Sequence, residues 1–230
     1  WLSSNYIQDY LNILCFNKIK RRFIGCKQAG FSFSGLISTL LFLPLMGVNT
    51  IHELTTNKDT SLLKNKRGKD AYYRLLANQK INWRLFLYQF VKQYLGREKL
   101  FTAPSDTTKC LIFDDTDLAK KGKTIEGISK IFNHVSKKYY LGFKLFVAGY
   151  WNGSVFIPID FSLHRESKKS KLKYGLTSKE RKHQKKTQRC SKTNAAKRYN
   201  ELNMKKTDGL VKMLSRVVKR KIPVDYILMD

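Results

Sequence analysis

Two stretches decide the fold: Cys110-Leu-Ile-Phe-Asp-Asp-Thr116 and Tyr226-Ile-Leu-Met-Asp230. Each is a short apolar run, with the length and composition of a buried strand, that delivers a carboxylate at its C-terminal end. The first runs into Asp114 and Asp115, the second into Asp230. Strands that present carboxylates at one edge of a sheet make a site for a hard cation. Mg²⁺ takes oxygen ligands, commonly one or two from protein carboxylates, and leaves the remaining positions to water and phosphate. Two such ions clamp the attacking and leaving oxygens of an in-line displacement. Taken singly, an aspartate after a strand also begins turns and caps helices, with Thr116 offering its hydroxyl. The topology around the pair therefore has to carry the argument.

Working outward, Lys144 to Tyr150 and Ser154 to Phe161 read as two more strands. Asn152-Gly153 between them is a hairpin-turn signal, so they are expected to pair antiparallel. Pro158 places the later strand at an edge or at a bulge. A polar tract follows, roughly Arg165 to Lys206, with almost no apolar periodicity. Leu210, Leu214, Val217 and Val218 then give one apolar helical face, with Lys212, Arg216, Lys219 and Arg220 opposite. Ile222-Pro223 ends that helix. A helix leading back to a short, wholly apolar strand predicts a crossover onto a parallel strand buried on both faces. Strand, two-stranded hairpin, helix, strand is the opening half of an RNase H-like fold. The expected class is α/β: a helical N-terminal region over 1–100, then a partial RNase H-like mixed sheet over 109–230 with a basic insertion at 165–206.

The N-terminal region shows helical spacing at Tyr6, Ile7, Tyr10, Leu11 and Leu14, and again from Trp83 to Tyr94, with Asn82 as a cap and Gly96 as a stop. A basic linker, Lys64 to Asp70, leads into a short helix around Ala71 to Ala77. Leu36 to Val48 is too short to cross a bilayer and reads as a buried helix, kinked or ended near Pro44. The region either binds DNA or packs as a helical prefix, and both readings stand. The opening Trp1, in place of Met, suggests a piece of a longer reading frame.

Lys and Arg total 45 against 17 Asp and Glu, a formal charge of +28. A field that strong favours a polyanion, nucleic acid before an anionic membrane, but selects a partner class and not an activity. Lys120, Lys121 and Lys123 follow the first aspartates, and the tract adds Lys168, Lys169, Lys182, Lys185 and Lys186 as candidate phosphate contacts. A solvated loop and a solvated insertion are the plain alternatives. Cys15, Cys26, Cys110 and Cys190 lack CxxC spacing, so reduced thiols in a cytosol account for them better than zinc does.

The stretch Leu111-Ile-Phe-Asp-Asp-Thr-Asp-Leu-Ala-Lys-Lys-Gly-Lys123 resembles the first catalytic strand of the DDE transposases of bacterial insertion sequences. Ile131-Phe-Asn-His-Val135, Lys138-Tyr-Tyr-Leu-Gly-Phe143, Gly149-Tyr-Trp-Asn-Gly153 and Phe156-Ile-Pro158 resemble the segments that follow it there, and Val224-Asp-Tyr-Ile-Leu-Met-Asp230 the second catalytic strand of the insertion sequence four clan. The resemblance covers about half of the chain. It implies DNA transposition by a metal-dependent endonuclease: phosphodiester hydrolysis at transposon ends, then strand transfer into target DNA. Asp114 and Asp230 would be the two aspartates holding Mg²⁺ or Mn²⁺. Asp115 is the alternative to Asp114, since a strand alternates its faces and one of the two points at the metal. The family's glutamate follows the second aspartate and is expected beyond residue 230. Glu126 and Glu166, which precede Asp230, are poor substitutes, so the 230 residues alone are expected to bind DNA without cutting it. The resemblance also implies a homodimer or multimer on DNA and a bacterial, cytoplasmic, nucleoid-associated location. The competing reading is a non-catalytic nucleic-acid-binding protein or a decayed transposase remnant.

Overall fold

Strand β1, Cys110–Ala119, is the axis of a five-stranded mixed sheet in the computed structural model of the chain. The structure describes residues 9, 11–12, 15–26, 29–56, 68–97, 107–166 and 172–229. It divides into two compact units, Trp1–Asn82 and Trp83–Asp230. Most of the helix expected over Tyr6 to Leu14, the linker through Arg67, Lys168, Lys169 and Asp230 lie outside the described residues.

The first unit is helical: α1 (Phe16–Arg21), α2 (Phe33–Phe42), α3 (Ile51–Thr56) and α4 (Lys69–Leu76). Ser32 caps α2 by accepting the Gly35 N–H, and the helix passes into a 3₁₀ turn at Pro44, as Pro at a first-turn position allows. Helix α4 starts at Lys69, two residues before the expected Ala71. It packs on α2 and α3 through the buried Ala71, Tyr72 and Leu75.

The second unit opens with α5 (Trp83–Arg97), which continues one residue past Gly96. Then come β1, β2 (Ser129–Asn133), β3 (Lys138–Trp151), β4 (Phe156–His164), α6 (Ser178–Lys182), α7 (Asn194–Glu201), α8 (Lys206–Lys219) and β5 (Tyr226–Met229). Strand β3 is long enough to serve two partners on one edge: its first residues pair with β2 and the remainder with β4, both antiparallel. Its other edge pairs antiparallel with all of β1, and β5 runs parallel to β1 on the far side. The hairpin and the parallel return are as the sequence predicts. The Asn152 side chain accepts the N–H groups of Ser154 and Val155, and Gly153 takes φ +92°, a conformation glycine adopts without strain. Pro158 lies on a strand that pairs only with β3 among the described residues, and a bulge falls opposite it at Ala148/Gly149. At Gly142 a Cβ would come within 2.5 Å of the Leu118 carbonyl oxygen, so β1 and β3 approach there only because that side chain is absent.

Helices α5 and α8 cover one face of the sheet. Tyr88, Val91 and Leu95 from α5, and Met213 and Val217 from α8, pack on Leu111, Phe113, Phe146, Ala148, Tyr150 and Ile159. The stripe of α8 is rotated from the expected one. Gly209, Met213 and Val217 are buried, Val218 is 73% exposed, and Arg216 and Arg220 turn inward to the fully buried Asp160. A buried carboxylate needs cations, and this requirement sets the helix's rotation as much as its aliphatic face does. Arg84 of α5 joins the same group, gripping Glu201 of α7 with two nitrogens and donating through Nε to the Phe161 carbonyl at 2.6 Å. The expectation of a two-face-buried final strand is corrected: Tyr226, Ile227, Leu228 and Met229 pair with β1 but are all exposed, because α5 and α8 centre on β1, β3 and β4.

The polar tract is not featureless. Thr177 and Glu180 form a reciprocal capping box for α6, Thr193 caps α7, and Leu176 and Leu202 are buried with Ile128 and Phe143. Two or three apolar residues, too few to show a period, fasten a mostly charged segment.

Candidate active site

Strand β1 continues well past Phe113, so its carboxylates lie within the strand. Alternation then separates them. Leu111, Phe113, Asp115 and Asp117 share the helix-covered face, while Ile112, Asp114 and Thr116 share the other. Asp114 is exposed, and its hydrogen bond is local: one carboxylate oxygen accepts the Asp115 N–H at 2.7 Å. Asp115 is half-buried and engaged by two cations, Lys206 at the start of α8 and Lys144 of β3, the latter at 3.6 Å.

Lys144 organises the polar end of the helix-covered face. Its side chain is 9% exposed, and its Nζ lies 2.5 Å from Asp117, 3.6 Å from Asp115 and 3.9 Å from Glu166, and donates to the Phe132 carbonyl at 3.2 Å. Three carboxylates thus surround one ammonium. Asp117 also accepts hydrogen bonds from the Tyr140 hydroxyl and from Asn133. Burial alone would raise the Asp117 carboxyl, but the bonds from Lys144, Tyr140 and Asn133 outweigh it and hold it below its ordinary value. Burial pulls Lys144 the other way, and its bond to Asp117 with the charges of Asp115 and Glu166 leaves it raised.

Glu126 and Glu166 are both occupied. Arg189 grips both oxygens of Glu126, the main cause of a pKa near 2, and the Thr187 N–H adds to it. Glu166 accepts the Phe132 N–H through both oxygens. Of the candidate phosphate contacts, Lys120, Lys121, Lys182, Lys185 and Lys186 are exposed, and Lys123 is paired with Glu180 at 2.8 Å. On the other side of β1, Phe113 pairs with Met229, so the residue that follows each in sequence is an aspartate.

A family model described as DDE superfamily endonuclease matches residues 45–230. The chain belongs to that family. No curated protein and no solved structure matches it. DDE superfamily endonucleases act on DNA and generally use divalent metals such as Mg²⁺, and the mixed sheet with its parallel return strand is consistent with an RNase H-like domain.

For this DDE superfamily endonuclease the donor chemistry can be tested against such a metal. Among the described residues no group of three or more His, Cys, Asp and Glu side chains is arranged to hold an ion. The acidic group of the helix-covered face already holds an ammonium, Lys144. Asp114 is different: it is an exposed hard-oxygen donor, in no ion pair among the described residues, which suits Mg²⁺. Sequence reasoning missed the Lys144 group. Its signal is the lone lysine of Phe143-Lys144-Leu145-Phe146, facing a strand that carries aspartates at alternate positions.

Proposed function

We propose that the chain is the catalytic portion of an insertion-sequence transposase, and that Asp114 and Asp230 are the carboxylates that hold its Mg²⁺ or Mn²⁺. The observation that carries the proposal is the pairing of Phe113 with Met229 on adjacent parallel strands, each followed in sequence by an aspartate. Asp114 is preferred to Asp115 because Asp115 already neutralises Lys206 and Lys144. Bound metal would supply charge neutralisation at the scissile phosphate and a lowered pKa for the attacking water or 3′-hydroxyl. The protein's own part is to present Asp114 on the sheet face opposite α5 and α8, and to keep the neighbouring carboxylates compensated so that they do not compete for the cation. No third carboxylate is assigned within the sequence, since Glu126 and Glu166 are committed to Arg189 and to the Phe132 amide. Action on transposon ends and target DNA, strand transfer, assembly as a homodimer or multimer, and a nucleoid-associated place in a bacterial cytoplasm belong to the same proposal.

The direct test is Mn²⁺ binding followed by electron paramagnetic resonance. Asp114→Asn and Asp230→Asn should each weaken binding at least tenfold and leave DNA affinity intact, whereas Asp115→Asn should weaken it far less. Equal binding by Asp114→Asn and the parent chain would reject the site and favour a non-catalytic DNA-binding protein. Metal-dependent cutting of a duplex carrying the transposon ends by these 230 residues would instead bring Glu126 or Glu166 in as the third ligand.

A further inference from the structure

The segment between β4 and α8 carries something the carboxylates do not use. From Gln184 to Arg189 the chain has neither helix nor strand, yet it is fastened repeatedly to the loop between β1 and β2. The Gln184 amide donates to the Ile128 carbonyl at 3.0 Å, the Lys185 N–H to the Thr124 carbonyl at 2.8 Å, and the Thr187 N–H to Glu126 at 3.0 Å. Arg189 closes the set with its two-pronged grip on Glu126, its guanidinium lying 4.5 Å from the Tyr199 ring centre. So many anchors on six residues make a strap with one conformation.

The basic side chains here divide into two groups. Arg189, Lys123 and Arg181 are already engaged by the protein, with Glu126, with Glu180, and with the Leu176 carbonyl and Ser178 hydroxyl. Lys185 and Lys186 on the strap, Lys182 at the end of α6 just before it, and Lys120 and Lys121 on the loop beneath it, are exposed and have no ion pair among the described residues. The first group holds the backbone, and the second is left for a ligand. Gln184-Lys-Lys-Thr-Gln-Arg189 contains no apolar residue, so it has nothing to insert into a membrane. It also offers no open aromatic face on which unpaired bases could stack, since Arg189 lies over Tyr199. Spaced cations on a fixed backbone match the phosphates of a duplex.

We propose that this strap, clasped by the Glu126–Arg189 pair, is a rigid phosphate-backbone grip for duplex DNA, set at the end of β1 away from Asp114. The proposal rests on the reading of Asp114 as the reacting end. Lys120 is six residues beyond Asp114, about 20 Å at ~3.3 Å per strand residue, so one duplex of about a helical turn reaches both. The grip is made by fixed geometry and not by charge density alone, and this gives it a test with an unusual sign.

The full 230-residue chain is titrated onto a fluorescent 30-base-pair duplex across a salt series. Lys185→Gln with Lys186→Gln should flatten the slope of log affinity against log salt by about 1.8, at ~0.9 per phosphate contact. Glu126→Gln removes a negative charge from a basic surface, which by charge alone should tighten binding. Releasing the strap should weaken it instead, by about three- to tenfold. An unchanged slope in the lysine variant, or tighter binding by a Glu126→Gln chain with native circular dichroism, would overturn the proposal. The lysine variant alters exposed side chains only, so its slope decides the question even if Glu126→Gln fails to fold. Higher affinity for duplex RNA of the same length would overturn the assignment to DNA. Mn²⁺ binding by the parent chain is the independent arm: if it is present while the slope does not respond, the strap alone falls, and if it is absent while the slope responds, the metal-site reading alone falls.

Discussion

Asp160 is the most consequential single carboxylate in the second unit, and Asp160→Asn tests why. The side chain is fully buried on β4, with Arg216 Nε 2.5 Å away, Arg84 Nε at 3.6 Å and an Arg220 nitrogen at 3.7 Å. Glu201 is the other anion of the group, bound to Arg84 and 3.8 Å from Arg216. Three guanidinium groups thus share two carboxylates, and the substitution leaves three cations on one. Burial, with positive Arg216 and Arg84 nearby, already lowers Arg220 below the ordinary guanidinium range, and Asp160 is the largest influence opposing that. Removing one partner of a buried pair costs about 3–5 kcal/mol. Asparagine keeps the volume and can still accept a hydrogen bond, so the lower end, about 3 kcal/mol, is expected. At roughly 2–4 °C per kcal/mol for a unit of this size, the Tm should fall by about 6–12 °C. Calorimetry reads this directly. Adding Arg216→Met should recover at least half of the loss, because the cost comes from a stranded cation and not from a missing contact. A Tm within about 2 °C of the parent, or no recovery in the double variant, would refute the reasoning.

Other outcomes follow from the same structure. Gly142→Ala should cost about 3 kcal/mol, at the upper end for overpacking, because its Cβ meets the Leu118 backbone, whereas Gly149→Ala, whose Cβ meets the movable ring tip of the exposed Phe156, should cost about 1; equal denaturation midpoints would contradict this. Lys144→Gln leaves Asp117 and Glu166 without their cation and Asp115 with Lys206 alone, so the variant should melt lower and regain stability when Ca²⁺ is added, a response absent from the parent. His164 is buried, with Nε2 against the Ser162 hydroxyl and Nδ1 against the Met204 carbonyl, and burial lowers its pKa. The unfolded chain therefore takes up the proton first: the contribution is complete above about pH 6.5 and is lost as pH falls through the folded value. A His164→Gln chain should show a flatter fall of Tm between pH 7.5 and 5, and an identical slope would exclude the histidine as the cause.

The apolar strands and their turn are legible in the residues themselves. Asn152-Gly153 and Pro158 each carry a local signal that tertiary structure has no reason to override, and both appear as a tight turn and an edge strand with its bulge. Strand β1 reads too short in sequence because Asp114-Asp115-Thr116-Asp117 looks like a turn. What keeps it extended is cross-strand, Asp115 and Asp117 against Lys144, and invisible to a window that slides along one segment. Strand β2 has only Ile131 and Phe132 to announce it and is fixed by pairing with β3. The rotation of α8 depends on Asp160, dozens of residues away, so periodicity alone places its apolar face about one position off. Adjacent aspartates are visible at once, but which of them is free is not, since the answer lies with Lys206 at the opposite end of the polar tract.

The closure of β5 on β1 has a consequence in time. The Asp225 carboxylate accepts the Lys109 N–H at 2.7 Å, and the Asp225 N–H returns to the Lys109 carbonyl at 2.8 Å, across a separation of 116 residues. At a synthesis rate of about 5–20 residues per second, β1 leaves the ribosome roughly 6–23 s before the strand that pairs with its outer edge. Its other edge can be covered much sooner by β3. For that interval the nascent sheet has one open, hydrogen-bonding border beginning Cys110-Leu-Ile-Phe, a template for pairing with another chain. Asp114, Asp115 and Asp117, which continue the same border, place negative charge along it throughout the wait, so the aspartate proposed to serve the metal also stands among the gatekeepers during translation.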